Sequence, residues 1–244
     1  MRVKLAWFHG THHIMHMFKL LPIILPLVYG YFVYKFSAWQ TVKELKAKSK
    51  RLRDPAFEPM LERLAAALQI PQVIVKIYEI SPVNGLAAPN GEIFITRGFY
   101  DKFKAGEVSD EELASVIAHE LGHVALGHSR RRMIDFSGQN ALRMALGAVI
   151  SRFIPGIGPW IARSVTSLLA ARLSRKDEYE ADEYAAALMS KAGFGVAPQI
   201  AMFEKLEHLT GAVAGKPPAW LLSHPKTSER IAALRALEDR WSQS

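Results

Sequence analysis

His119 and His123 stand four residues apart with Glu120 between them, inside a stretch whose apolar spacing is helical. This feature limits the fold more than any other. Two imidazoles at i and i+4 lie on one helical face, one turn above the other. From that face both rings can reach a single zinc ion at roughly 2.0–2.1 Å. The glutamate between them falls beside such an ion, placed to take a proton from an attacking water. The H-E-x-x-H pattern therefore points to a metal-dependent hydrolase, and within that class to a peptidase. Taken alone it is short, and it also fits a surface helix that happens to carry two histidines and a glutamate.

The flanking residues support the helix. Ser109 and Glu112 form a capping box. Asp110, Glu111 and Glu112 load the first turn with negative charge, which suits the helix dipole. Leu113, Val116, Ile117, Leu121 and Val124 follow at helical spacing, and Gly127 marks the end. Gly122 costs about 1 kcal/mol relative to alanine in a helix, so we read it as room for another element to pack close to the metal. His128 lies nine residues past His119. At 100° per residue it falls about 180° around the helix, which makes it a helix-end residue rather than a ligand.

A zinc site needs a third protein ligand and an open position for water. The segment 174–182, Ser-Arg-Lys-Asp-Glu-Tyr-Glu-Ala-Asp, offers one. It opens a second helical stretch that runs to Met189 and closes at Gly193. Glu178 and Asp182 share a face, so one carboxylate can bind zinc while the other accepts a hydrogen bond from a ligating imidazole. A charged helix start with solvated acids is the competing reading.

H-E-x-x-H followed some fifty residues later by S-R-x-x-E-x-x-A-D resembles the HtpX and CAAX prenyl-protease family of zinc metallopeptidases. Two more segments fit it. Residues 83–98 are similar to the family's edge-strand and hairpin region, although Asn84-Gly85 stands where the family usually carries Asn-Ala. Ser223-His224-Pro225 with Arg230 resembles its late H-P-x-x-x-x-R element. The resemblance covers residues 55–240 and implies the roles. His119, His123 and Glu178 would hold one Zn2+, Glu178 being chosen over Glu180 because the family ligand lies four residues before the Asp of A-D. Glu120 would be the general base, and Asp182 would stand behind the ligands. His224 and Arg230 would lie near the cleft, steadying the transition state or gating the site. Asn84, Gly85, Leu86 and Ala87 would form the strand that binds substrate. Gly85 adds backbone freedom there without abolishing pairing.

The chain has 244 residues, half of them apolar, enough for one sizeable core plus an appendage. It has no cysteine, which excludes disulfides, thiolate metal sites and a cysteine nucleophile. The appendage is N-terminal. Residues 20–34 carry no charge, and 14–36 is long enough to span a bilayer with Lys19 and Lys35 snorkelling. A signal peptide competes, but no small-x-small cleavage site follows the apolar run. Arg2, Lys4 and Lys19 precede the span, whereas Lys35, Lys43, Lys46, Lys48, Lys50, Arg51 and Arg53 follow it. The positive-inside rule then puts the C-terminal part in the cytoplasm, as expected for a bacterial-type inner membrane. The basic run reads as a juxtamembrane helix facing anionic headgroups. It accounts for much of the net charge of +8, and no nucleic-acid recognition motif is present. His9, His12, His13 and His16 read as an incidental polar tail.

The expected organisation is an anchor with a basic segment at 1–53 and a metallopeptidase domain at 54–244. Within the domain, 57–68 reads as a helix, 73–80 as a strand, and Asn90-Gly91 as a turn between strands 86–88 and 93–95. Residues 137–173 read as an amphipathic helical hairpin, because arginines at 143, 152, 163 and 172 leave no apolar run long enough to span. The fold class is α+β and mostly helical: a zincin-like domain with a small antiparallel sheet and an N-terminal membrane helix. The expected activity is zinc-dependent endoproteolysis of peptide or protein substrates at the membrane, in membrane-protein quality control as the resemblance implies. The rivals are a processing peptidase for one defined substrate and a membrane-tethered assembly or chaperone factor with a non-catalytic zinc.

Overall fold

The computed structural model describes residues 28–29, 31–32, 34–128, 131, 158–209, 224 and 227–243. The expected span at 14–36 lies mostly outside the described residues, as does the first arm of the hairpin insertion, 137–157. Among the described residues no helix is long and apolar enough to cross a membrane. Contacts divide the chain into two compact units, Met1–Trp39 with Met133–Leu168, and Gln40–Arg132 with Leu169–Ser244. In the first unit Tyr29, Tyr31, Phe32, Phe36 and Trp39 are exposed. The sheet and the site belong to the second.

The four strands are β1 (Ser49–Arg51), β2 (Val75–Tyr78), β3 (Gly85–Ala87) and β4 (Ile93–Thr96), in the spatial order β1-β2-β4-β3. β1 pairs antiparallel with β2, and β3 antiparallel with β4, but β2 and β4 run parallel, with Ile77 opposite Ile95. The sheet is therefore mixed, which corrects the antiparallel sheet expected from the sequence. After Tyr78 the chain passes to the far edge to make β3, and the turn at Asn90-Gly91 folds β4 back between β3 and β2. The short 79–84 connection starts β3 near the end where β2 finishes, so β3 runs against β2 and β4 returns in the direction of β2. Burial agrees: all four positions of β4 are buried, as for a central strand covered on both faces, whereas β2 alternates.

The basic run is not one helix either. Residues 34–47 are helical, but Lys50 and Arg51 lie on β1. Charged side chains on that edge strand discourage pairing with a second chain. From the helical segment Leu45 packs with Ala88 and Phe94 on one face of the sheet.

Helix α1 (Glu58–Leu68) has a proline in its first turn and ends at Gln69, whose φ of 58° is left-handed. It buries Met60, Leu64, Ala65 and Ala67. Helix α2 (Arg97–Lys104) starts where the Thr96 side chain accepts a hydrogen bond from the Phe99 amide. Helix α3 (Asp110–Ala125) carries the H-E-x-x-H residues. Its capping box is formed: the Glu112 amide donates to Ser109 Oγ at 3.1 Å, and the Ser109 amide to Glu112 Oε2 at 2.9 Å.

α3 is the axis of the domain, buried on nearly every side. Leu113, Val116 and Ile117 join one core with Leu64 of α1 and with Ile93 and Ile95 of β4. The same core takes in Met189 of α4 (Gly158–Lys191), Met202 and Phe203 of α5 (Ala197–Leu209), and Leu234 of α6 (Thr227–Ser242). A fully buried leucine or isoleucine of this kind is worth about 2–5 kcal/mol, judged by the cost of truncating it to alanine.

α4 is a single helix, so the stretch expected to open at Ser174 does not begin there. The charges at 175–178 imitate a helix start, but no glycine or proline lies between 160 and 191 to interrupt the helix. Gly122 is where α3 and α4 touch. A Cβ at that position would lie 3.0 Å from the Ala181 carbonyl oxygen and 3.1 Å from its Cα, so only glycine lets the two backbones come so close.

Candidate metal centre

Burying α3 forces its polar side chains to find partners inside the protein. His119, Glu120 and His123 are all buried, facing Glu178 and Asp182 from α4, His224, and Arg230 from the first turn of α6. Nε2 of His119 and Nε2 of His123 are 3.1 Å apart. Glu178 Oε2 lies 3.4 Å from His119 Nε2, and Glu178 Oε1 lies 3.5 Å from His123 Nε2. A zinc ion holding ligands tetrahedrally at its usual bond lengths separates them by roughly 3.3 Å. The carboxylate turns one oxygen to each imidazole, and all three separations are close to that ligand–ligand spacing. Two imidazole nitrogens and a carboxylate oxygen are also the donor chemistry zinc takes, so the residues present fit the ion.

His224 stands at the fourth corner. Its Nδ1 is 3.3 Å from His119 Nε2 and 2.7 Å from Glu178 Oε2, the latter a hydrogen-bond distance. Its Nε2 is 3.5 Å from Glu120 Oε1. Donor atoms of His119, His123, Glu178 and His224 all lie within 4.8 Å of one another, which makes a buried group able to hold a metal ion.

Spacing along the chain left Glu178 and Asp182 equivalent, but their surroundings differ. Asp182 Oδ1 lies 2.9 Å from Nδ1 of His119, on the side of the ring away from the donor cluster. Arg230 grips the same carboxylate through Nε and Nη2, both at 2.6 Å, and its Nη1 lies 3.4 Å from Glu178. The guanidinium also covers the ring of Phe203, 4.5 Å from its centroid.

The electrostatics follow from this packing. Burial lowers the pKa of His119, but the carboxylates of Asp182 and Glu178 outweigh it and lift the imidazole to about 9. Burial raises Glu178, but His224 and His119 hold it well below the usual carboxylate range. Burial likewise raises Asp182, and Arg230 more than reverses that. A cation held by these donors would take the place of the Nε2 proton of His119.

The expected substrate strand lies beside this cluster. β3 closes one edge of the sheet and packs on α3. A Cβ at Gly85 would lie 2.9 Å from Val116 Cγ1 and 3.4 Å from Glu120 Oε1. The glycine thus serves close approach rather than backbone freedom. Asn84 is fixed to β4: its amide donates to Thr96 Oγ1 at 3.0 Å, and its carbonyl accepts from the Thr96 amide.

His128 is the residue that sequence reasoning passed over. A position 180° around the helix from His119 would require the helix to continue, but α3 ends at Ala125 and Gly127 turns the chain back with φ 69°. His128 is fully buried, with Nδ1 2.8 Å from Nδ1 of His123 and Nε2 3.1 Å from Glu180 Oε2. Burial lowers its pKa, against Asp177 and Glu180. Glu180, the acid set aside in favour of Glu178, therefore faces His128. The one available signal was Gly127 itself.

Residues 51–238 match the model of Peptidase family M48. The chain is similar to the metalloprotease YcaL of Escherichia coli (strain K12), with 33% identity over 165 residues, 66% of this chain and 60% of that protein. It is similar to the metalloprotease LoiP of the same organism, with 33% identity over 172 residues, 68% and 62% of the two chains. The mitochondrial metalloendopeptidase OMA1 of Homo sapiens is 26% identical over 173 residues, 67% of this chain and 32% of that protein. The chain thus spans less than two thirds of the length of these curated relatives. The matched region runs from β1 to α6 and contains every donor of the cluster: the chain belongs to Peptidase family M48.

Proposed function

We propose that this chain is a zinc metalloendopeptidase that cleaves peptide bonds of protein substrates at a membrane. The observation that carries the reading is the buried cluster in which His119 and His123 Nε2 lie 3.1 Å apart and each lies within 3.5 Å of a Glu178 oxygen, with the Glu120 carboxylate buried next to it. A purely structural metal site has no use for a buried base.

Bound zinc lowers the pKa of water toward ~7 and polarises a carbonyl. Glu120 takes the proton of the water that attacks the scissile carbon. It returns that proton to the amine as the C–N bond breaks. Asp182 and Arg230 hold the His119 ring, and Arg230 balances the charge of Glu178. Asn84, Gly85, Leu86 and Ala87 align an extended substrate; the packing of β3 beside Glu120 supports this. His224 gates the site: with its nitrogens near both Glu178 and Glu120, it would have to move aside for water and substrate to reach a metal held by the other donors.

Membrane attachment through residues 14–36, with the domain from 54 onward on the cytoplasmic side, is part of the proposal. The basic flank supports it, as do the exposed aromatic residues Tyr29, Tyr31, Phe32, Phe36 and Trp39. Unfolded or damaged membrane proteins are the proposed substrate class, on the strength of the family resemblance. The test is hydrolysis of a quenched peptide by the purified chain, abolished by a chelator and restored by zinc. Zinc-loaded protein that cleaves neither peptides nor unfolded membrane proteins would overturn the reading.

One observation favours a second reading. With His224 in place the cluster offers four donors, as closed structural sites do. A tethered assembly factor with a dormant zinc would keep His224 there permanently, and the zinc would then be required for folding alone.

A further inference from the structure

The two histidines of the H-E-x-x-H motif are held from behind by different chemistry. Behind His119 is the Asp182 carboxylate. Behind His123 is another imidazole: Nδ1 of His123 faces Nδ1 of His128 at 2.8 Å. His128 is fully buried, and its other nitrogen faces Glu180 at 3.1 Å, with Asp177 at 3.9 Å. Arg131 binds Asp177 and lies 3.4 Å from Glu180, while Lys176 lies 3.2 Å from Glu180.

His128, Asp177 and Glu180 form a second group with metal-ligand spacing. The Arg131 guanidinium already lies between the two carboxylates, and His128 spends one nitrogen on His123. The group is therefore a support for the first site rather than a second site.

We propose that His128 is the positioning residue for the metal ligand His123, accepting a hydrogen bond from its Nδ1–H and passing the alignment on to Glu180 and Arg131. This rests on the reading of the cluster as a zinc centre. The proton positions follow from the geometry. A neutral imidazole that binds a metal through Nε2 carries its proton on Nδ1. In His123 that proton points at His128 Nδ1, which must then offer a lone pair. The single proton of His128 therefore sits on Nε2 and points at Glu180, so every donor meets an acceptor. The opposite tautomer would set two N–H groups face to face. The two ligands thus receive unequal support: His119 is backed by a full negative charge and His123 by a neutral ring.

The test compares the full-length protein with His128→Phe and His128→Asn. Zinc dissociation constants come from competition with a chromophoric chelator, and ligand geometry from the visible spectrum after cobalt substitution. Phenylalanine fills the volume but accepts no proton, so zinc binding should weaken about 10- to 100-fold and the cobalt bands should change. The Asn side-chain oxygen falls near the place of Nδ1, so His128→Asn should recover most of the affinity and the wild-type bands. Wild-type affinity and spectrum in His128→Phe would overturn the proposal, as would a folded His128→Asn as weak as His128→Phe. If His128→Phe does not fold, nitrogen-15 spectra of the zinc-loaded wild type decide. A His128 ring protonated at Nε2 alone supports the proposal, and a proton on its Nδ1 refutes it. Wild-type protein that takes up no zinc would instead sink the metal reading, and this inference with it.

Discussion

Arg230 donates two hydrogen bonds to Asp182, from Nε to Oδ2 and from Nη2 to Oδ1, each 2.6 Å long, between side chains that are both buried. The pair joins α6 to α4 behind the His119 ring. Removing only the cation leaves two buried carboxylates with imidazole partners alone, which costs up to about 3–5 kcal/mol. We expect Arg230→Met to lower the unfolding free energy of the metal-free protein, and with it the urea midpoint, with that amount as the upper end. Arg230→Met with Asp182→Leu should lose less than Arg230→Met alone, because no buried charge is left over at that pair. An unchanged midpoint in the single variant would mean that the pair does not hold the two helices together.

Glu120→Gln keeps the shape of the side chain and removes the base. Zinc content, measured by metal analysis, should match the wild type. Peptide hydrolysis should fall about 100- to 10,000-fold, the usual range for loss of a general base. Wild-type turnover in this variant would show that the base has been misassigned.

The parts of the site that lie within a few residues of one another were legible in the sequence. The Ser109 cap, the apolar period of α3 and the H-E-x-x-H spacing are local, and they place the two imidazoles together. What depends on distant partners was not legible. Spacing alone leaves Glu178 and Asp182 equivalent on one face of α4; the family resemblance separates them, and in the fold His119, His224 and Arg230 do, the last arriving 48 residues beyond Asp182. The strand at 75–78 could be read from β-branched alternation and the one at 93–96 from the turn signal at Asn90-Gly91, but their parallel pairing depends on where the 79–84 connection sets down β3. His128 is a helix-end residue and not one of the main donors, as its spacing implied; its contact with His123 was not legible, because a helical wheel has no meaning past the last helical residue.

His224 has one nitrogen on Glu178 and the other near Glu120, so it bridges the proposed ligand and the proposed base. If it gates the site, His224→Ala opens the fourth corner and peptide turnover rises several-fold with zinc retained. If it steadies the transition state instead, turnover falls. Steady-state kinetics on a short peptide, which needs no large rearrangement to enter, separates the two.

Asp54 ties the start of α1 to α2. Tyr100 donates to it at 2.8 Å and Lys104 at 3.0 Å, and these contacts hold its carboxyl below the ordinary value of 3.8. A carboxylate with a depressed folded pKa contributes stability above its unfolded pKa and loses it as pH falls through the folded value. Asp54→Asn keeps the shape and the hydrogen-bonding oxygen. Its urea midpoint should therefore lie below that of the wild type at pH 7, with the gap closing as pH drops below about 4. A gap independent of pH would assign the effect to packing rather than charge.

Gly85 stands where family members usually carry alanine, and the structure gives the exchange a measurable consequence. The ideal Cβ would sit 2.9 Å from Val116 Cγ1, closer than carbons tolerate, and 3.4 Å from Glu120 Oε1. Either Val116 changes rotamer within a packed core or β3 moves away from α3. Overpacking of this kind costs about 1–3 kcal/mol. If β3 moves, the strand proposed to align substrate shifts relative to the base, and kcat/KM falls as well. Val116→Ala removes the obstructing methyls. Gly85→Ala with Val116→Ala should then be less destabilised than the two single changes predict, with a coupling of about 0.5–3 kcal/mol in a double-mutant cycle. Additive losses, or a Gly85→Ala variant with wild-type stability and turnover, would show that strand and helix are not in the tight contact that the chemistry of this site is proposed to need.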